Sequence, residues 1–140
     1  MELARWLVAF VAFITGIGGL LADYFLASGA QHIKNPLWSP HAKFHNAQGI
    51  LMGVLLASLT IALLFRHRVL SRETLLLAAL IASVYWLSIF AAPIFPGVAF
   101  VDPEFAAGAP NVGPVPLQLA IGIVLVGLLG TAVTIGFTRS

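Results

Sequence analysis

His41, His45, Gln48 and Met52 follow one another at spacings of four, three and four residues. On a helix advancing about 100° per residue they fall within roughly 60° of arc, one stripe of two imidazoles, an amide and a thioether. Imidazole ligates metals and haem iron and exchanges protons near neutral pH. Two histidines four apart share a helix face and hold one metal when a further ligand comes from elsewhere. His41 and His45 are therefore the expected metal ligands, and with Gln48 and Met52 the expected cofactor-binding stripe. Asp23 is the first candidate for a third ligand, with Asp102 and Glu104 behind it. Asp23 and Tyr85 are also candidate catalytic groups, as proton donors or orienters. At membrane depth such a stripe is expected to point inward, to a cavity between the helices. A buried phenol needs a hydrogen-bond partner, so Tyr85 is expected to line the same cavity. His32 sits in a polar loop and His67 in a basic one, and both read as interfacial.

The elements that must position these side chains are membrane helices. Of 140 residues, 60% are hydrophobic and 9% carry a formal charge. Soluble domains run near 45–50% and about 25%, so a water-soluble globule is excluded, and a disordered chain would be poor in apolar residues. A spanning helix needs about 20 mostly apolar residues, and four stretches qualify: Trp6–Leu26, His45–Phe65, Thr74–Phe95 and Val115–Phe137. They are unbroken rather than alternating, which predicts an all-α, single-domain integral membrane four-helix bundle over residues 1–140. Arg5 and Leu20-Leu21-Ala22 give the first span a superficial likeness to a signal peptide. Its apolar run is too long for one, and the span is expected to be retained.

Loop charge sets orientation. With four spans, Arg5, Arg66, Arg68, Arg72 and Arg139 share one side and Lys34 and Lys43 the other. This predicts that both termini are cytoplasmic. The imidazole stripe, Asp23 and the Pro-rich third loop (with Asp102 and Glu104) then lie at the outer face, where that loop is placed to act as a lid. Ser39-Pro40 reads as the cap and first residue of the second helix, and Ser71 as the cap of the third. Gly49, Gly53 and Ala57 form a small-residue ridge for close helix approach. A net charge of +2 with no basic stripe excludes a nucleic-acid partner. Absence of cysteine excludes disulfides and thiolate chemistry.

The run Asn35-Pro36-Leu37-Trp38-Ser39-Pro40-His41-Ala42-Lys43-Phe44-His45 resembles a family of small, uncharacterised bacterial four-helix membrane proteins carrying N-P-x-W-x-P-H-A-[KR]-F-H between their first two spans. That likeness implies a multi-pass protein of the bacterial inner membrane. Ala42-Lys43-Phe44-His45 also resembles, more distantly, the Ala-Arg-x-His run of styrene oxide isomerase, a four-helix membrane enzyme holding haem b. By that resemblance His45 is an axial ligand, the iron is a Lewis acid for an epoxide, and Tyr85 faces the substrate. The family's Asn six residues after the histidine is Leu51 here, and Asn46 or Gln48 stands in for it.

Three functions follow as expectations. One is a haem- or metal-dependent, isomerase-like protein acting on a small apolar substrate. Another is a non-catalytic accessory or assembly subunit of a larger membrane complex or homo-oligomer. The third is a lipid- or sterol-binding module without a cofactor.

Overall fold

The computed structural model describes residues 1–138, so Arg139, counted above with the basic side, lies outside the described residues. The chain is helical almost throughout. α1 (Glu2–Gly19) runs on as a π-helical turn over Leu20–Phe25. α2 spans Pro40–Phe65, α3 Arg72–Ala91 with a 3-10 turn at Ala92–Ile94, and α4 Leu117–Thr138. With their extensions all four are long and apolar enough to cross a membrane. α1 packs on α2, α2 on α3, α3 on α4 and α4 on α1, an up-and-down bundle.

Each boundary has a local cause. α2 starts five residues ahead of its apolar span because the Ser39 side chain accepts from the Ala42 N–H and Pro40 fills the first helical position. Ser71 caps α3 in the same way through the Thr74 N–H. α4 begins at Leu117 rather than Val115, because Val115–Pro116 (β2) pairs antiparallel with Asn111–Val112 (β1). Gly113, at φ +60°, makes the turn between them. This short hairpin has no alternating pattern long enough to be read from sequence.

Small residues set how closely the helices approach. A Cβ on Gly53 would stand 2.9 Å from the Thr15 carbonyl oxygen, and one on Gly16 2.9 Å from the Ala57 Cβ. Across the α1–α3 contact Trp86 Nε1 donates to Thr15 Oγ1 at 2.8 Å, and that hydroxyl donates to the Val11 carbonyl at 2.9 Å. Both groups are buried and satisfied, as an apolar core requires.

The bundle has a solid end and an open end. Arg5, Arg66, Arg68 and Arg72 gather at the solid end. There the largely buried Arg5 donates to the Arg68 carbonyl at 3.0 Å and pairs with Glu2 at 2.8 Å. The core (Val8, Val11, Leu64, Leu75, Ala78, Leu129 and neighbours) fills this end. Burial ceases in α1 after Gly16 and in α3 after Trp86, and it begins in α2 at Ile50 and in α4 at Gly122. Beyond that layer the helices carry no buried residues, and the two long loops line the space between their ends.

Candidate functional site

Asp23 is presented by the π turn. Here the helix loosens to an i→i+5 pattern, with the Leu26 N–H bonded to the Leu21 carbonyl at 2.8 Å. Single π turns are frequent at functional sites. Leu26 then goes extended, and the chain doubles back through a 3-10 turn at Ala27–Gln31. A Cβ on Gly29 would stand 3.1 Å from the Tyr24 carbonyl oxygen and 3.2 Å from that of Asp23. Glycine at this place therefore lets loop one lie directly on the last turn of helix one. The Ser28 hydroxyl donates to the Ala22 carbonyl and fastens the fold-back.

That fold-back carries His32 over Asp23. His32 Nδ1–H donates to the Ser28 carbonyl at 2.9 Å, leaving Nε2 facing Asp23 Oδ1 at 3.6 Å. With Nδ1 as the donor, a neutral ring turns a lone pair toward the carboxylate, and a second proton on Nε2 makes the contact an ion pair. The other carboxylate oxygen, Oδ2, accepts from Asn46 Nδ2 on α2 at 2.8 Å. The Asp23 side chain is 19% exposed and that of His32 32%. Asn46 Oδ1 is buried without a partner, an acceptor whose pairing would recover about 1–3 kcal/mol.

The motif Asn35-Pro36-Leu37-Trp38-Ser39-Pro40 completes the wall. Asn35 is buried, and its Oδ1 accepts from the Leu37 N–H at 2.9 Å, an Asx turn held by the following proline. The turn swings Trp38 edge-on to His32, with ring centroids 6.0 Å apart at 81°, and leads straight into the Ser39 cap of α2.

These groups face a cavity of about 710 Å³ at the open end of the bundle. Gly18, Leu21 and Asp23 line it from helix one, His32 and Trp38 from loop one, and Asn46 from α2; Leu117, Gln118 and Ile121 line it from α4. The third loop lies over it through Ala99–Asp102, Phe105, Ala109 and Pro110. The walls are mainly apolar, and the polar groups cluster at Asp23. Pockets that bind small molecules share this make-up: largely apolar, with a few convergent polar groups, in the range of about 300–1,000 Å³.

The imidazole stripe does not face this cavity, which corrects the expectation that it points inward. His41, His45 and Gln48 are exposed, and Met52 is 47% exposed. The interior of α2 is taken by Asn46, Ile50, Gly53, Ala57, Thr60 and Leu64, a continuous row at helical spacing. Gly53 and Ala57 sit on this inner face in close contact with Thr15 and Gly16 of helix one, which turns the stripe out, while Gly49 of the expected ridge meets nothing within 4 Å. Gln48 and Met52 instead border a shallow apolar groove of about 360 Å³ with Phe44, Ala47, Leu51 and Leu55. Among the described residues no three His, Asp or Glu side chains gather as a metal-ligand group. Asp23 is therefore not brought to His41 and His45.

Tyr85 is likewise not part of the cavity wall. It packs edge-on to Trp86, beside Gly53, and no residue of α3 lines the cavity. Asp102 does line the cavity, whereas Glu104 is exposed on the outer loop. The residue that sequence reading underrated is His32. Its signal was Gly29, three residues upstream, together with the Asn35-Pro36 turn, which fold an otherwise unremarkable polar loop onto Asp23.

No curated protein and no solved structure matches the chain. A family model described as a family of unknown function (DUF6640) matches residues 7–134, and the chain belongs to that family.

Proposed function

We propose that this chain is a multi-pass membrane protein that binds a small apolar molecule in the cavity at the open end of the bundle. Asp23 moves a proton on that molecule in an isomerase-like reaction. The observation that carries the reading is the Asp23 carboxylate, held by Asn46 on one oxygen and faced by His32 on the other, in the wall of a mostly apolar cavity. Asp23 takes a proton from one carbon of the ligand and returns it to another. One C–H bond breaks, one forms, a double bond moves, and no oxidant is needed. The arginines at the solid end and Lys34 and Lys43 at the open end support termini in the cytoplasm and a cavity at the outer face. The likeness of the Asn35–His45 run to bacterial membrane proteins supports the bacterial inner membrane as its location.

The haem reading finds less support. His45 is exposed, and the apolar groove nearby is lined by Phe44, Ala47, Gln48, Leu51, Met52 and Leu55 without it. That exposure supports the Asp23 cavity over His45 as the ligand site. A lipid- or sterol-binding module would use the same cavity without proton transfer.

The test uses Trp38 as the reporter, in a protein whose other tryptophans are replaced (Trp6→Phe, Trp86→Phe). 10-Bromodecan-1-ol, an apolar quencher with a hydroxyl head, should quench Trp38 saturably in detergent. A Cβ on Gly18 meets nothing within 4 Å and Gly18 lines the cavity, so Gly18→Phe fills the space without a backbone clash and should abolish the saturable component. Equal quenching in both proteins would refute the binding site.

A further inference from the structure

His41 and His45 stand one helical turn apart on the outward face of α2, and their Nε2 atoms are 3.1 Å from each other. The rings are nearly perpendicular, at 80° with centroids 4.5 Å apart. His45 Nδ1 is paired with Gln48 Oε1 at 3.3 Å. An amide oxygen only accepts, so Nδ1 carries the proton and the neutral ring turns its Nε2 lone pair toward His41, whose Nε2–H donates to it. A metal would take that proton's place, with His41 shifting to its Nδ1–H tautomer. The same arrangement, in which the remote ring nitrogen donates to a carbonyl oxygen, fixes the tautomer of most metal-bound histidines. His41 is in turn stacked parallel to Phe44, at 8° and 6.2 Å. Two imidazole nitrogens 3.1 Å apart are each reached from one point about 2.0–2.1 Å away, the usual Zn–N distance. The angle subtended there is about 100°, compatible with tetrahedral or octahedral coordination.

We propose that His41 and His45 form a two-imidazole clip for a divalent transition metal of the Zn²⁺, Ni²⁺ or Cu²⁺ class, with Gln48 orienting His45. The remaining coordination positions are open to water. The site is separate from the Asp23 cavity: Asn46, the next residue, points to the other side of α2. The partial positive charge at the start of α2 opposes a cation by less than a factor of ten in affinity. Imidazole, with no thiolate near, selects these metals over Mg²⁺ or Ca²⁺, which prefer oxygen ligands.

The experiment is a Zn²⁺ titration by calorimetry, with Co²⁺ absorption as a second readout, on the full chain in detergent with any affinity tag removed. One metal per chain is expected. His41→Ala and His45→Ala should each weaken binding at least tenfold. Gln48→Leu should weaken it about 10-fold or more, as removal of an orienting partner does. His67→Ala and Asp23→Asn should leave it unchanged. Both histidines are exposed, so unchanged helical circular dichroism is expected for these variants and separates loss of ligand from loss of fold. Binding that survives the double substitution His41→Ala/His45→Ala overturns the clip. Binding lost with Asp23→Asn or His32→Ala moves the metal to the cavity and also overturns it. Failure of this test leaves the Trp38 quenching result untouched, and failure of that one leaves the clip untouched.

Discussion

Asn46 Nδ2 donates to Asp23 Oδ2 at 2.8 Å and so ties the start of α2 to the π turn of helix one. The bond joins two helices at the end of the bundle where apolar burial has ceased, and a carboxylate in an apolar wall depends on such partners. Asn46→Leu should therefore destabilise the protein by about 1–3 kcal/mol, the range for removing a partner from a buried polar group. Thermal melting in detergent is the measurement, and an unchanged melting temperature would show that the bond does not hold the open end together.

Close approach of α1 and α2 gives a paired prediction. Gly53→Ala puts a methyl 2.9 Å from the Thr15 carbonyl oxygen, whereas a Cβ on Gly49 meets nothing within 4 Å. Overpacking of this kind costs about 1–3 kcal/mol, and an uncrowded substitution stays within about 0.5 kcal/mol. The melting temperature should fall for Gly53→Ala and hold for Gly49→Ala; the reverse order would contradict the helix register.

Much of the architecture is legible in the residues because the spans are long and uniformly apolar and their caps are chemically distinctive. Ser39-Pro40 and Ser71 mark helix starts by their own side-chain chemistry. Which face of α2 turns inward is not legible in the same way. The His41–His45–Gln48–Met52 stripe and the Gly53–Ala57 ridge share one helix, and only the fit of Gly53 against Thr15 and of Gly16 against Ala57 decides between them. His32 was obscured for a related reason: its nearness to Asp23 is made by a fold-back at Gly29, and loop geometry carries no periodic signal. Tyr85 fits the usual profile of a cavity phenol, yet its ring packs against Trp86 and Gly53 and the cavity is lined without it.

The Trp86–Thr15 bond predicts a modest loss. Trp86→Phe removes the Nε1 donor, while Thr15 keeps its own bond to the Val11 carbonyl. Stability should fall by about 0.5–1.5 kcal/mol for the hydrogen bond, with a further contribution from the smaller ring. Thr15→Val leaves the buried Trp86 Nε1–H without its acceptor and should cost about 1–3 kcal/mol. Thermal melting in detergent measures both variants, and an unchanged melting temperature in Thr15→Val would contradict the bond.

Orientation is directly measurable, because the chain has no cysteine and an introduced one is unique. His67 and Glu104 are exposed and lie at opposite ends of the bundle. In intact cells a membrane-impermeant maleimide should label Glu104→Cys and spare His67→Cys until the membrane is opened. Labelling of His67→Cys alone would invert the topology.

The most direct test of the central reading is the anomalous scattering of bromine in crystals soaked with 10-bromodecan-1-ol. The account predicts a bromine peak inside the cavity among Gly18, Leu117 and Ile121, with the hydroxyl end directed at Asp23 and Asn46. A peak found only in the outer groove of Phe44, Leu51 and Leu55, with the cavity unchanged, would contradict it.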